Sequence, residues 1–433
     1  MKNGPKIHTL KITPIAVTDP PLLNSVGLHQ PYALRTIIEI ITSDNIIGIS
    51  EIPGNVEINH LLAQAAEVVT GMDPFQLNEM RAAIYTRFGD LDKSDARGDN
   101  PWDSRKLVHV FSALEVACLD IQGKICNRPV VDLLGGRCRD RVPFSAYLFY
   151  KLKGAGGKWG HDIDPNAGGW EAARQAAANT PDEMVAQARA MIQEFGFKSI
   201  KLKGGVYDPG EEVEAIKRLS EAFGPGVPLR FDPNGVWTVE TSIQYGAMMT
   251  GKLEYLEDPT RGQENMAAVR RALSIPLATN MCTTSFGEIP SSIQLGSEDI
   301  ILSDHHFWGG LRASVNLGKV CQIFNKGLSM HSNSHLGISL MAMVHMAAAI
   351  PNLTYDLDTH YPWQSEEVLL GGRVKFEDGQ VEVPSAPGLG IELDHVELER
   401  LHENYLTCNI THRDDTSEMK KYFPDWEYKA IRW

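Results

Sequence analysis

Basic residues are in short supply. The 433-residue chain carries 41 Lys and Arg against 55 Asp and Glu, a formal net charge of −14. Such a chain has no excess of cations to offer phosphates or anionic lipid, so neither nucleic acid nor a membrane is an expected partner. An anionic ligand would need local cations to overcome the field. Cysteine is sparse too: Cys118, Cys126, Cys138, Cys282, Cys321 and Cys408 are scattered without CxxC spacing. That spacing argues against a zinc ribbon or a disulfide framework and for reduced thiols in a cytoplasm. No apolar run reaches about 18 residues, and Met1-Lys2-Asn3-Gly4-Pro5 has no apolar signal core. An HExxH motif is missing as well. His331 and His335 stand four residues apart, but Ser332-Asn333-Ser334 between them is poor helix sequence.

What is present fits a soluble enzyme-sized protein. With 43% hydrophobic and 22% charged residues, one large or two moderate domains are expected. Ile7–Val17 and Arg35–Ile41 are β-rich and separated by Pro and Gly punctuation. Helical patterns follow over 57–88 and again over Val108–Asp120. The Gly-rich stretch 154–170 reads as a long loop or insertion. Short apolar segments then recur: Phe144–Tyr150, Ser199–Lys203, Leu229–Pro233, Leu253–Pro259, Leu277–Met281, Ile300–Asp304, Leu328–Ser332 and Leu353–Asp358. From the second onward they alternate with helix-compatible sequence at the stride of a parallel β/α barrel. A polar helix beyond residue 386 must return to the first domain or to the barrel rim.

In such barrels chemistry sits where strands end. Ser199–Lys203 places Ile200 and Leu202 on one face and Lys201 and Lys203 on the other. Repulsion and partial burial would let either lysine give up its proton near neutral pH and act as a base. Alone, a Lys-x-Lys pair also fits a solvated edge strand. The next strands close on Asp232-Pro233-Asn234, Glu257-Asp258-Pro259, Asn280, Asp304 and His331-Ser332-Asn333. Asp232, Glu257 and Asn280 supply only hard oxygen donors, a set suited to Mg²⁺. Taken singly, Asp232 and Glu257 also read as turn openers or helix caps. His305 and His306 follow a strand end and read as structural.

Leu28-His29-Gln30-Pro31, Gly48–Gly54, Ala146–Tyr150, Phe197–Val206, Asp232–Gly235, Ala278–Met281, Asp304–Trp308, His331–His335 and Arg413-Asp414-Asp415 resemble the enolase superfamily. The similarity is to its mandelate racemase-like branch, and within that to the glucarate dehydratase group, over nearly the whole chain. The resemblance implies an α/β fold, a modified TIM barrel of (β/α)₇β type with an α+β cap. It divides the chain into a cap over 1–135, a barrel over 136–385 and a C-terminal segment, 386–433, returning to the cap. It implies Mg²⁺ on Asp232, Glu257 and Asn280, Lys203 as base on one substrate face with Lys201 as electrostatic companion, and His331 with Asp304 as the dyad on the other. His29, Tyr147, Asn234, Ser332 and Arg413 fall where the family binds substrate.

The implied activity is dehydration of a hexarate, D-glucarate or L-idarate, through abstraction of the proton beside a Mg²⁺-bound carboxylate. A homo-oligomer is expected. Two positions depart from the pattern. Pro101 stands where the family has a substrate-contacting threonine, with Lys106 as a possible substitute, and Thr260–Ala267 is several residues shorter. Three activities therefore stand beside the leading one: dehydration of another acid sugar, racemisation or epimerisation of a hydroxy acid, and a weakly active sugar-acid binding protein.

Overall fold

The computed structural model of the chain describes residues 4–91 and 105–433, so Pro101 lies outside the described residues. The N-terminal part is a three-stranded antiparallel sheet in the order β1 (Ile7–Thr18), β2 (Tyr32–Thr42), β3 (Ile47–Pro53). Asn45, at φ 60°, turns β2 into β3, a left-handed position that asparagine tolerates. Three helices follow: α1 (Val56–Val69), α2 (Leu77–Phe88) and α3 (Lys106–Cys126). Helix α3 is apolar almost all round and is buried nearly throughout from Leu107 to Gly123, as a helix sealed on every side must be. It lies against β3 at Gly48, where a Cβ would meet the Ala117 carbonyl oxygen at 2.0 Å.

Seven parallel strands make the second sheet. They are β4 (Ala146–Phe149), β5 (Ile200–Lys203), β6 (Leu229–Asp232), β7 (Tyr255–Glu257), β8 (Leu277–Thr279), β9 (Ile300–Ser303) and β10 (Gly327–Met330), paired in chain order. Helices α4 (Pro181–Phe195), α5 (Pro209–Phe223), α6 (Val239–Met248), α7 (Gln263–Ala272), α8 (Ile289–Leu295), α9 (Leu311–Ile323) and α10 (Gly337–Ala349) follow them one by one. Local signals set these starts. Thr180 and Glu183 form a reciprocal capping box at α4, and Asp208 with Pro209 opens α5.

The expected eighth strand, Leu353–Asp358, closes the barrel without a regular ladder. Thr354 and Asp358 donate to Leu328 and Met330 of β10, while Leu357 exchanges bonds with Pro143 and Ser145 ahead of β4. The interruption has a cause at Asp356: its carbonyl accepts from Ser329 Oγ at 2.8 Å and from Arg230 Nη1 at 2.7 Å. An acceptor taken by side chains is lost to the ladder.

Two further segments gain structure from tertiary anchors. Within 154–170 the chain makes a single turn at Gly157–Trp159 and enters a short helix, Gly169–Gln175, held by Trp170 Nε1 on Pro362 O and Arg174 Nη1 on Trp363 O, each at 2.9 Å. The C-terminal region returns to both the cap and the barrel. Helix α11 (His395–Thr407) lies on β1, with His402 Nδ1 2.6 Å from Pro14 O. Helix α12 (Asp415–Tyr422) packs beside Gly27–Leu28, and Arg432 N donates to Val236 O.

Candidate active site

Strand β5 does what its alternation demands: Ile200 and Leu202 enter the hydrophobic core while Lys201 and Lys203 share the opposite face. Lys201 is wholly buried, its Nζ 2.6 Å from both Glu257 Oε2 and Asp358 Oδ2 and 3.8 Å from Asp232 Oδ2. The ammonium also sits over the Tyr147 ring, 4.8 Å from its centroid. Burial by itself would lower its pKa, but Asp358 and Glu257 outweigh that and hold it well above the ordinary lysine value. The expectation that either lysine could lose its proton is therefore corrected for Lys201, which stays an ammonium ion. Carboxylates, invisible in the local sequence, separate the two lysines. Lys203 Nζ lies 2.6 Å from Asp232 Oδ2 and 2.7 Å from Asn234 Oδ1.

The oxygen donors converge on the same point. Asp232 closes β6, and its Oδ1 accepts from the Asn234 backbone at 2.8 Å, an Asx turn that holds Asn234 at φ 61°. Glu257 closes β7, and Asn280, one residue past β8, donates its amide to Glu257 Oε1 at 2.9 Å. Asp258 accepts from the backbone of Asn280 and Met281 and so fixes the turn that presents the asparagine. Burial and the neighbouring Asp232, Asp358 and Asp258 carboxylates oppose the charge on Glu257, and the Lys201 ammonium at 2.6 Å offsets them only in part. Carboxylates crowded in this way, with hard donors alone, fit a divalent oxygen-seeking cation. Asp232, Glu257 and Asn280 are the residues that would hold Mg²⁺.

The dyad is also assembled. His331 follows β10, and its Nδ1 is 3.1 Å from Asp304 Oδ2 at the end of β9. Burial opposes ionisation of Asp304, yet His306 and His331 overcome it and keep this carboxyl well below the ordinary range. An ionised carboxylate only accepts, so the His331 proton sits on Nδ1 and Nε2 is left as the basic atom. His306 donates through Nδ1 to the other Asp304 oxygen at 2.9 Å, in keeping with the structural role expected for it. His335 lies against Leu336 O and Thr359 Oγ1, away from any ligand set with His331.

One cavity of about 330 Å³ gathers these groups, within the usual range for small-molecule sites. Lys203, Asn234, Asn280, His331, Ser332, Tyr147, His29 and Arg413 all line it. The Tyr147 phenol is buried against Lys201, and desolvation holds its pKa well above the usual value. Ser332 Oγ accepts from the His360 backbone at 2.9 Å. His29 and Arg413, at opposite ends of the chain, meet at 2.7 Å between Nε2 and Nη2. Arginine can only donate, so His29 carries its proton on Nδ1 and gives it to Asp19 Oδ2 at 2.9 Å. The Arg413 fork expected to face a distal carboxylate also spans Asp415, with Nε at 2.9 Å and Nη2 at 2.6 Å.

Sequence reasoning missed several members. Asp358 is the last residue of the eighth apolar segment, but 157 residues of chain separate it from Lys201 and nothing local marks it as that lysine's charge partner. His360 and Phe149 line the cavity, and nothing in their local sequence marks them. Arg35 does so from β2, where the β pattern alone drew notice.

Comparisons with known proteins show the family. Residues 183–397 match the family described as "Enolase C-terminal domain-like". The chain is 46% identical over 437 residues to the probable glucarate dehydratase of Streptomyces coelicolor, covering 99% of each. A crystal structure of an enolase from Mycobacterium smegmatis complexed with tartrate shares 48% identity and a TM-score of 0.91, covering 100% of both chains. One from Gibberella zeae complexed with magnesium, formate and sulfate shares 48% identity and a TM-score of 0.91, covering 99% of this chain and 97% of that one. Nearly half the residues are thus shared over the full length, on one fold, and the chain is an enzyme of the enolase superfamily.

Proposed function

We propose that the protein dehydrates a hexarate, D-glucarate or L-idarate, to 5-dehydro-4-deoxy-D-glucarate with Mg²⁺ as cofactor. The observation that carries this reading is the convergence, at one cavity, of Lys203, His331, Asn280 and Arg413, with Asp232 and Glu257 bonded directly behind Lys203 and Asn280. The similarity to a probable glucarate dehydratase supports the substrate class, and magnesium in a related crystal structure supports the metal. The six cysteines are all free thiols, in keeping with work in the cytoplasm. Among the described residues no helix is long and apolar enough to cross a membrane.

Mg²⁺ on Asp232, Glu257 and Asn280 would neutralise charge as it builds on the adjacent substrate carboxylate. Every other task falls to the chain. Lys201, kept charged by Glu257 and Asp358, adds a second fixed positive charge beside that carboxylate. Lys203 takes the proton next to it from one face. His331 Nε2 takes it from the other face, and the resulting imidazolium can hand a proton to the departing β-hydroxyl. Arg413, oriented by His29 and Asp415, holds the far carboxylate, while Tyr147, Asn234 and Ser332 meet the hydroxyls between.

Two opposed bases would also serve epimerisation, and the product tells the two reactions apart. Purified protein with Mg²⁺ is incubated with a panel of hexarates and keto-acid formation is followed. Keto-acid from glucarate or idarate supports the reading. Interconversion of epimers with no keto-acid from any diacid would replace it.

A further inference from the structure

The two bases are held in different ways. Lys203 is fixed by Asp232 and Asn234, both at the carboxyl end of β6, and Asn234 Nδ2 donates in turn to Ser25 Oγ, which lies outside the three-stranded cap sheet. The His331 side is fixed from the cap sheet. Asp304 Oδ1 accepts from the His306 backbone at 2.8 Å and from His306 Nδ1 at 2.9 Å, and His306 Nε2 in turn lies 3.1 Å from both Glu51 O and Ser339 Oγ. Asp304 Oδ2 takes His331 and, at 3.4 Å, the amide of Asn333, whose own carbonyl accepts from Arg35 Nη1 at 3.0 Å.

Both ends of this chain of contacts reach the residues of one ion pair, Asn333 through the Arg35 guanidinium and His306 through the main-chain carbonyl of Glu51. Arg35 on β2 and Glu51 on β3 lie 2.7 Å apart and are 1% and 2% exposed. Glu51 also accepts from the backbone of Leu336 at 2.8 Å and of Ser339 at 2.9 Å, which ties it to the start of α10. Helix α3 adds two more ties to the turn after β9: Ser112 Oγ to His305 O at 2.8 Å and Arg105 Nη2 to Phe307 O at 3.1 Å. The Phe307 ring lies 5.3 Å from that of His331.

Glu51 is absent from the cavity wall, and a buried ion pair is weak support for stability on its own, because desolvation offsets the attraction. Such a pair is better suited to fixing geometry. We propose that the Arg35–Glu51 pair of the cap sheet is the positioning element of the His331–Asp304 dyad, so that proton transfer on the His331 face, unlike that on the Lys203 face, depends on the cap sheet. Loss of the pair loosens Asn333 directly and His306 indirectly, through the Leu336 and Ser339 backbone that the Glu51 carboxylate holds, and so lets Asp304 rotate and releases the pose of the His331 ring. This inference rests on the two-base reading above.

The test follows ¹H/²H exchange of the two C-5 epimers, glucarate and idarate, in D₂O with Mg²⁺. Lys203→Ala and His331→Asn first assign each epimer to its base. Glu51→Gln is then compared with wild type, and so is Glu51→Asp, which keeps a counter-charge for the buried Arg35 while drawing the carboxylate back by one methylene and stands in should the first variant not fold. Exchange by His331 is expected to fall about 10²-fold, the scale of a misplacement of about 1 Å, with KM and Lys203-face exchange changed less than about twofold. A structural defect would lower both faces together. Equal losses on both faces, or no loss on either, overturns the inference alone. A wild-type enzyme that exchanges neither epimer overturns the proposed function and this inference with it.

Discussion

Replacing Arg413 by alanine tests the clamp that sets substrate class. In the structure its guanidinium touches His29 Nε2 at 2.7 Å and Asp415 through three contacts of 2.6 to 3.1 Å, and its side chain is 33% exposed. Arg413→Ala thus acts twice. It removes a charge-assisted donor for the distal carboxylate, worth about 2–3 kcal/mol, so kcat/KM for a diacid should fall about 10²-fold or more with KM rising. It also strands Asp415, 2% exposed, with Asn24 at 2.7 Å as a remaining donor. Burial opposes the charge of Asp415, and Arg413 and His29 together overcome it and keep its carboxyl below the usual range. A lowered carboxyl pKa stabilises the fold above the unfolded-state value and ceases to do so as pH falls through the folded one. The stability deficit, about 1–3 kcal/mol after discounting the partly exposed arginine, should therefore be largest at neutral pH and shrink in acid. The double variant Arg413→Ala/Asp415→Ala separates the effects, recovering Tm without recovering kcat/KM. Steady-state rates on D-glucarate, galactarate and the monoacid gluconate complete the assay. Gluconate turned over as well as the diacids, or activity regained in the double variant, refutes the reasoning.

Metal dependence should be near absolute: chelator should abolish turnover, and Glu257→Gln should come close to doing so because a neutral amide weakens the site. Full turnover by metal-free protein counts against the triad. Lys203→Ala should stop C-5 proton exchange for one epimer and His331→Asn for the other, and where His331 also protonates the departing hydroxyl, His331→Asn should stop dehydration of both. Equal residual exchange by both variants on both epimers would contradict the assignment. Away from the cavity, burial raises the Glu115 carboxyl on α3 to about 7. The folded state then binds the extra proton between the unfolded value and about 7, so this group favours folding at pH 5 and loses that contribution by pH 8, roughly 3 kcal/mol. Glu115→Gln should flatten the fall in Tm over that interval, and an unchanged slope would show that Glu115 titrates normally.

The apolar alternation of Ser199–Lys203 was enough to set two lysines on one face, because side chains in a strand repeat with period two. The recurrence of such segments was enough to read a parallel barrel, since each needs a crossover helix of fixed stride. Strand ends carry the chemistry in such folds, so Asp232, Glu257, Asn280, Asp304 and His331 could be read in order along the chain. The charge state of Lys201 could not be read there. It depends on Glu257, 56 residues away, and on Asp358, 157 residues away, and a desolvated ammonium keeps its proton only where folding brings carboxylates to it. The irregular closing segment is another decision of tertiary structure, taken when Ser329 and Arg230 claimed the Asp356 carbonyl. The meeting of His29 with Arg413 across 384 residues, and the contacts of Arg35 with Asn333 and of Glu51 with His306 beside the dyad, belong with these. Local sequence determines propensity and alternation, whereas the pairing of distant polar groups depends on how the cap closes over the barrel.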